Sequence, residues 1–552
     1  MSLPSHMKGE ILRPGKACLH CKARKVKCDA VRPICTPCSR GNRAAKCEYA
    51  DQEIYDLEEN ISRLEKRLKE LEAHGQQPSC DEATAQLSST QLKLNQSDEE
   101  LPPLVRVFLV NLVISYSRQL GFAMNKDRFL ATLALSPADP NYPSPALLHS
   151  VYLWGLCILN CEQFFNLERR SLEKAKLYVA DALNSRDPKT RFQALQAEIL
   201  LAQYFFCAGR PLEGRYHTGA ASSLALSSGL QYIRGVIPPN ALTPDLVGSI
   251  SAFEFPPPRD AIEEGERINI FWVTYNVDRC WSVAMDRPAY LSSPITPRSP
   301  ILTPWPMEFQ DYASGMTPHN RRELLDFVLR RQKPDSIHPA EFSIPSLRVK
   351  ASALFYSASM VVADPHRSTP MERLKGLTRE MSEQSIGELL EMLPPLHHMD
   401  NLSSEDQSAY IVIRGIVLAS RIQLHFVAAE NSCESYAVCL LTAKCIVDIV
   451  EFIAEHTTIF FLDPIVSAVW TSAAQSLARD LSRSPHTSIP SSTAESSRAD
   501  AVRMCNGLKE IIKRKPLMTY PEAGDTFGAS PSLVTLYKKS TVTGKMSKRF
   551  QF

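Results

Sequence analysis

The sequence predicts a mainly α protein in three parts: a small cysteine-clamped head, a short parallel coiled coil and a large all-α body. Three observations predict it. Six of the 15 cysteines crowd into residues 18–47. Directly behind them, apolar side chains recur at heptad spacing from Ile54 to Leu71. From residue 101 onward, apolar stretches of helical length alternate with Pro, Asn and Asp breaks, whereas alternating Val, Ile and Thr runs bounded by tight Asn-Gly turns are missing. Composition agrees, since 44% hydrophobic and 22% charged residues over 552 positions is a globular balance that excludes wholesale disorder or a fibrous repeat. With 21 glycines against 39 prolines, the chain disfavours glycine-rich nucleotide loops and favours punctuated helices.

The head comes first. Cys18, Cys21, Cys28, Cys35, Cys38 and Cys47 follow the spacing C-x2-C-x6-C-x6-C-x2-C-x8-C. Two residues between cysteines form one tight turn that points both sulfurs inward, so each C-x2-C pair is suited to sharing a metal. Thiolate-rich tetrahedral sites select zinc. The doubled pattern predicts two Zn²⁺ per chain, and eight tetrahedral positions served by six sulfurs require two bridging cysteines. A disulfide knot, a single zinc and an iron–sulfur cluster are the alternatives. The N-terminus lacks the apolar run of a secretory signal, which weighs against the knot and makes a soluble intracellular chain with reduced thiols the expectation. The other nine cysteines are scattered and read as core or idle thiols; Cys157 and Cys161 share a helix face by spacing.

Charge is divided unevenly. Residues 1–50 hold eleven Lys/Arg against three Asp/Glu, a net of +8, which leaves −6 over residues 51–552. Six thiolates with two Zn²⁺ lower the head only to about +6, so it still seeks an anion, of which nucleic acid is the commonest. Between Cys21 and Cys28 stand Lys22, Arg24, Lys25 and Lys27, four cations in six residues pinned at both ends by the predicted ligands. The KARKVK run also reads as a nuclear-import signal, which is compatible with DNA contact.

Residues 18–47 resemble the fungal zinc-cluster transcription factors. The resemblance implies that Cys18 and Cys35 bridge, that Cys21 and Cys28 complete one zinc, and that Cys38 and Cys47 complete the other. It further implies that the short helix after the first pair enters the major groove and reads a CGG triplet. Lys25 then meets the bases, while Lys22, Arg24 and Lys27, with Arg40 and Arg43 of the second half, hold phosphates. Pro33 matches the family's loop proline.

After a linker (48–53), Ile54, Ile61 and Leu68 at heptad a alternate with Leu57, Leu64 and Leu71 at d. Branched residues mostly at a with leucine at every d favour a parallel two-stranded coil over 54–74, and Arg67 at g can meet Glu72 at e of a partner chain. The seam spans only three heptads, so an amphipathic helix docked on its own chain is the other reading; its place behind a zinc cluster resembles the family's dimerisation element. Residues 75–100 are polar and rich in Gln and Ser, a disordered tether.

The body, 101–480, is predicted all-α. Leu104–Leu120, Leu147–Phe165, Phe192–Phe206 and Glu213–Leu226 are helical stretches, the third closed by Gly209 and Pro211 and the fourth by Gly229. Ile446–Trp470, the most apolar region, carries Asp448, Glu451, Glu455 and Asp463 and reads as buried helix, not a membrane span. Arg215–Leu230 and Glu266–Leu291 resemble the middle homology regulatory region of the same fungal family. Phe271 and Trp272 at helical spacing read as core before ligand box, and Asp278 with Arg279 as a structural charge pair. No G-x-G-x-x-G, P-loop, H-E-x-x-H or G-x-S-x-G occurs, and His397 and His398 sit among prolines in an expected loop, so an enzyme is not expected. Residues 481–500 are predicted to be a Ser/Pro-rich disordered loop and 501–552 a mostly irregular, basic C-terminal segment, with 1–17 a flexible tail.

The resulting expectation is a nuclear, homodimeric, zinc-dependent regulator of RNA polymerase II transcription that binds paired CGG-like triplets in double-stranded DNA. Its partners would be the transcription machinery or co-regulators and a small-molecule effector, with no membrane. The rival readings are a zinc-thiolate redox or metal sensor and an enzyme housed in the helical body. The basic tail end departs from the acidic or glutamine-rich ends of many activators in the resembling family, leaving activation and repression open.

Overall fold

The computed structural model describes residues 17–47 and 101–514, apart from 30, 32, 33, 42, 102, 161–163, 235–254, 292–300, 317–341, 363–378, 457, 458, 460 and 482–490. The heptad seam Ile54, Leu57, Ile61, Leu64, Leu68 and Leu71, the tether and the basic C-terminal end lie outside them. The chain divides into two units, Met1–Glu100 and Leu101–Phe552. No strand occurs among the described residues, in keeping with the mainly α expectation.

In the first unit, α1 (Leu19–Ala23) and α2 (Thr36–Arg40) are single turns, followed by a 3₁₀ turn at Ala44–Lys46. Its buried cluster consists of Cys18, Cys21, Cys28, Cys35 and Cys38, with Ala17 and Cys47 packed beside it. Leu19, Val26, Val31 and Ile34 are exposed. Sulfur therefore takes the place of an apolar core.

The second unit is a stack of helices. Its N-terminal layer comprises α3 (Pro103–Ser115), α4 (Ser117–Leu120), α5 (Lys126–Leu133), α6 (Pro145–Leu159), α7 (Phe165–Leu183), α8 (Pro188–Cys207) and α9 (Pro211–Ser227). Caps explain where these helices begin: Oγ of Ser144 accepts from Leu147 N–H at 3.4 Å before Pro145, and Oδ2 of Asp187 accepts from Thr190 N–H at 2.9 Å before Pro188. Two predicted stretches are shorter than their apolar pattern. Leu104–Leu120 breaks at Tyr116, where α3 gives way to α4. Leu147–Phe165 stops at Leu159 because Asn160 adopts the left-handed conformation at φ 44°, and Phe165 opens α7. Cys161 lies outside the described residues, and Cys157 meets Cys207 of α8, a contact that together with burial pushes its thiol up.

The C-terminal part runs through α10 (Ala261–Ala284), α11 (Phe309–Ala313), α12 (Ile344–Val362), α13 (Arg379–Met392), α14 (Ser404–Phe426), α15 (Cys433–Glu455), α16 (Val466–Leu481) and α17 (Ser491–Arg514). Helices α10 and α14 are buried along most of their length, and α12 packs against both. By length and composition α14 could cross a membrane, but most of it is enclosed by its neighbours, as a core helix is. The apolar run Ile446–Trp470 is not one helix: it is divided between α15 and α16 by a turn at Pro464, where Oδ1 of Asp463 accepts from Ile465 N–H at 3.0 Å.

Within the predicted loop 481–500 and irregular segment 501–552, residues 491–514 require correction, because they form α17 (Ser491–Arg514); residues 482–490 and 515–552 lie outside the described residues. Ala501, Met504, Leu508 and Ile511 recur at helical spacing and face the core, a periodicity hidden behind the Ser-rich start. Arg503 adds ion pairs to Asp448 at 2.8 Å and Glu451 at 2.5 Å on α15.

The two segments singled out in the body meet. Phe271 and Trp272 are fully enclosed, as the core reading expected, and Trp281 stacks on Phe206 with ring centroids 3.8 Å apart. Phe206 also lies against Gly214, where a Cβ would lie 2.6 Å from the ring, so no larger residue fits without displacement. Asp278 and Arg279 converge on the chain that follows α10. The Asp278 carboxylate accepts from the N–H groups of Tyr290 (2.8 Å) and Leu291 (2.9 Å), and Nη2 of Arg279 donates to the Leu291 carbonyl at 3.0 Å. Arg215 of α9 reaches the Pro288 carbonyl at 2.5 Å and lies over the Tyr290 ring.

Candidate metal centre and nucleic-acid interface

The six cysteines of the head converge. Two overlapping sets of four have ligand atoms within 4.8 Å of one another: Cys18, Cys21, Cys28 and Cys35, and Cys18, Cys35, Cys38 and Cys47. Cys18 and Cys35 belong to both. Sulfur–sulfur distances are 3.6 Å for Cys18–Cys35, and 3.7 Å for Cys18–Cys38, Cys21–Cys35, Cys21–Cys38 and Cys35–Cys47. Tetrahedra with metal–sulfur bonds of about 2.3 Å have edges of about 3.8 Å, so the four distances that lie within a set fit zinc, whereas Cys21–Cys38 joins one set to the other. Burial pushes the thiols of Cys18, Cys21, Cys35 and Cys38 up, which means that a cation must supply the field that holds them as thiolates. Backbone donors assist: Cys21 N–H points at the Cys18 sulfur at 3.4 Å.

The predicted DNA-contact residues Lys22, Arg24, Lys25, Lys27, Arg40 and Arg43 are all exposed. Lys22 is on α1, Arg40 ends α2, and Arg43 precedes the 3₁₀ turn. The reading helix, expected after the first cysteine pair, instead starts between its two members and ends at Ala23. Arg24 is its C-cap, and Lys25 stands in the turn beyond at φ 53°. Left-handed backbone costs a side-chain-bearing residue roughly 1–2 kcal/mol and is normally given to glycine or asparagine at this place. The turn is closed by Lys25 N–H to the Lys22 carbonyl (3.2 Å) and Val26 N–H to the Cys21 carbonyl (3.1 Å).

Asp29 is a residue that spacing did not reveal. Its carboxylate accepts from the Thr36 N–H at 3.1 and 3.2 Å and so ties the end of the first half to the start of α2. A hydrogen bond from the Thr36 side chain, helped by the backbone N–H groups of Thr36 and Val31, holds its carboxyl below the usual carboxylate range. A single acid among four cations carries no pattern of its own; only its position directly after Cys28 could have hinted at it.

The sequence model of the Fungal Zn(2)-Cys(6) binuclear cluster domain matches residues 16–54, and that of the Fungal specific transcription factor domain matches residues 115–406. The head therefore binds two zinc ions. An uncharacterized transcriptional regulatory protein of Saccharomyces cerevisiae is 40% identical over 60 residues, which is 11% of this chain and 8% of that protein. A C6 finger domain transcription factor of Aspergillus fumigatus is 61% identical over 33 residues, 6% of this chain and 4% of that one. The chain thus aligns with only a small fraction of either relative's length. No solved structure matches the chain.

Proposed function

The chain belongs to the fungal zinc-cluster transcription factors, DNA-binding regulators of transcription, and from that premise we propose that it acts in the nucleus on RNA polymerase II promoters as a homodimer reading paired CGG-like triplets. The observation that carries this reading is the exposed run Lys22, Arg24, Lys25 and Lys27, fixed between Cys21 and Cys28. Bound zinc would hold the head in shape. The six cysteines are its ligands in this reading, with Cys18 and Cys35 shared. Lys25 takes the base edges, and Lys22, Arg24, Lys27, Arg40 and Arg43 take phosphates, which fix position without reading sequence.

The seam from Ile54 to Leu71 would join two heads. One triplet offers too few contacts for gene-level selectivity at about 1–3 kcal/mol per base pair, and two roughly double the discrimination. Residues 75–100 then act as a tether, and the helical body acts as the regulatory part that receives effectors or co-regulators, not as a catalyst.

The test is selection of binding sites by the full chain from a random duplex pool, alongside a variant with Leu57, Leu64 and Leu71 replaced by Ala. The full chain should enrich two CGG-like triplets at fixed spacing, and the variant should bind paired sites no better than single ones. Enrichment of unrelated sequence, or a variant that remains dimeric on paired sites, would refute the reading.

A further inference from the structure

Two thiols outside the head meet across helices. Cys157 lies on α6, and Cys207 is the last residue of α8. The register of these helices brings them together. The Trp154 ring N–H donates to the Leu200 carbonyl at 2.8 Å, and the same ring meets that of Tyr204 edge-on, with centroids 6.0 Å apart. Three residues further along each helix, on the same faces, the Cys157 thiol is hydrogen-bonded to the Cys207 side chain. Neither cysteine is in a disulfide.

The two sulfurs stand in unequal surroundings. Cys157 is 1% exposed, whereas Cys207 is half-buried at the helix end. The contact with Cys207, burial and the nearby Glu168 carboxylate all favour the protonated form of Cys157. A small oxidant arriving from solvent therefore meets Cys207 first, with Cys157 behind it as a thiol already in contact. A sulfenic acid formed on one cysteine condenses with a thiol held against it, and that contact replaces an encounter between molecules with a step inside one.

We propose that Cys157 and Cys207 form a redox-sensitive pair that hydrogen peroxide converts reversibly into a disulfide joining α6 to the end of α8. The Cys207 thiolate attacks one peroxide oxygen. An S–O bond forms, the O–O bond breaks, and the leaving hydroxide takes up the proton that the Cys207 thiol released. The Cys157 sulfur then attacks the Cys207 sulfur. An S–S bond forms, the S–O bond breaks, and the departing hydroxide leaves with the Cys157 proton as a second water. Two thiols and one peroxide give one disulfide and two waters, with two electrons passing from sulfur to oxygen; a dithiol reductant reverses the bond by exchange.

The new bond has a place from which it can act on the fold. Cys207 directly follows Phe206, whose ring stacks on Trp281 of α10 and lies against Gly214 of α9. Tying Cys207 to α6 restrains the turn from α8 into α9, and a cross-link between residues 157 and 207 also restricts the unfolded chain. The pair belongs to the helical body and does not depend on what the head reads.

The test treats the full zinc-loaded chain with hydrogen peroxide, blocks the remaining thiols by alkylation and maps linked peptides by mass spectrometry. Cys161→Ser is treated alongside, because Cys161 is close in sequence to Cys157. The peptide bearing Cys157 should be linked to that bearing Cys207 in both proteins, and dithiothreitol should separate them. Cys157→Ser should leave Cys207 as a sulfenic acid that dimedone traps, whereas Cys207→Ser should slow modification of Cys157 about tenfold or more, since the buried thiol loses its exposed partner. The linked form should melt several degrees above the reduced one. Absence of the linked peptides, a link that disappears in Cys161→Ser, or modification of Cys157 at the parent rate in Cys207→Ser would each overturn the pair. A linked form that melts no higher would overturn the restraint on the turn. The parent and Cys161→Ser decide the pairing even if the other two variants do not fold. Zinc content is measured in the same samples, so oxidation of the head is recorded separately.

Discussion

Cys18 and Cys35 occupy equivalent places in the two halves of the head. Each is the N-cap of a five-residue helix, at φ −60°, ψ 150° and φ −68°, ψ 150°, and their sulfurs are 3.6 Å apart. The repeat extends further: Cys18 N–H points at the Cys28 sulfur at 3.4 Å, and Cys35 N–H at the Cys47 sulfur at 3.3 Å. A helix start directs unsatisfied N–H groups toward its cap, which favours negative charge there. The two positions with that advantage are the two common to both sets of sulfurs, where a thiolate shared between cations is most needed.

Unequal roles for the cysteines follow. Cys18→Ser or Cys35→Ser in the full chain should remove both zinc ions, whereas Cys28→Ser or Cys47→Ser should leave about one. A serine hydroxyl is a poor zinc ligand, and loss of a shared sulfur opens both tetrahedra at once. Elemental analysis of the purified variants gives the count. One zinc retained by Cys18→Ser would place the shared sulfur elsewhere.

Asp29 should govern how firmly the metal is held, not how much is bound. Its two hydrogen bonds to the Thr36 N–H close the connection between the halves. Asp29→Ala should keep two zincs per chain but release them several-fold faster to a chelator, with Asn at the same position recovering part of the difference. Release at the unaltered rate would mean that the cysteines alone fix the loop.

These residues show what a sequence discloses. The six cysteines are legible because ligand spacing is local and leaves few alternatives, and the helical body is legible from its apolar periodicity. Tyr116 and Asn160 end helices inside apolar stretches that continue past them, so the breaks are invisible to periodicity. The pairing of Asp278 with the N–H groups of Tyr290 and Leu291 spans a turn whose shape only the fold sets. The contact between Cys157 and Cys207 is harder still, since the two come from separate helices and share no motif.

Glu266 makes the body's stability depend on pH. It is buried on α10 and accepts from the Asn125 N–H at 2.8 Å, with Arg128, Glu263 and Asp260 as its charged neighbours. Burial pushes its carboxyl up from 4.5 to about 7, against the effects of the Asn125 bond and Arg128. As pH rises through 4.5 the unfolded chain ionises this group while the folded chain keeps its proton until about 7. Unfolding therefore releases a proton in that window, and this contribution to stability is present at low pH and lost as pH rises through about 7, by about 3 kcal/mol in all. Glu266→Gln keeps an oxygen for the Asn125 N–H but cannot ionise. In denaturant titrations from pH 5 to 8 it should flatten this part of the profile and be more stable than the parent at pH 8; parallel profiles would show that Glu266 ionises equally in both states.

Lys25 separates backbone strain from recognition. It sits at φ 53°, directly beyond the C-cap of α1, where glycine would relieve roughly 1 kcal/mol of strain and alanine would relieve none. If the proposed base contact is what keeps a lysine there, stability and specificity must move in opposite directions on substitution. Lys25→Gly should hold zinc at least as firmly as the parent yet lose about 1–3 kcal/mol of discrimination between CGG and altered triplets. Lys25→Ala should lose the same discrimination without the gain in stability. Lys27→Ala, by contrast, should weaken all sequences alike and reduce the salt dependence by a log–log slope of about 0.9 for each phosphate that is no longer neutralised. Gel shifts over a range of salt, on CGG and scrambled duplexes with zinc content verified, report all three. Equal losses on both duplexes for Lys25→Gly would make Lys25 a phosphate ligand and move the reading of bases to Arg24, the next cation along the same turn.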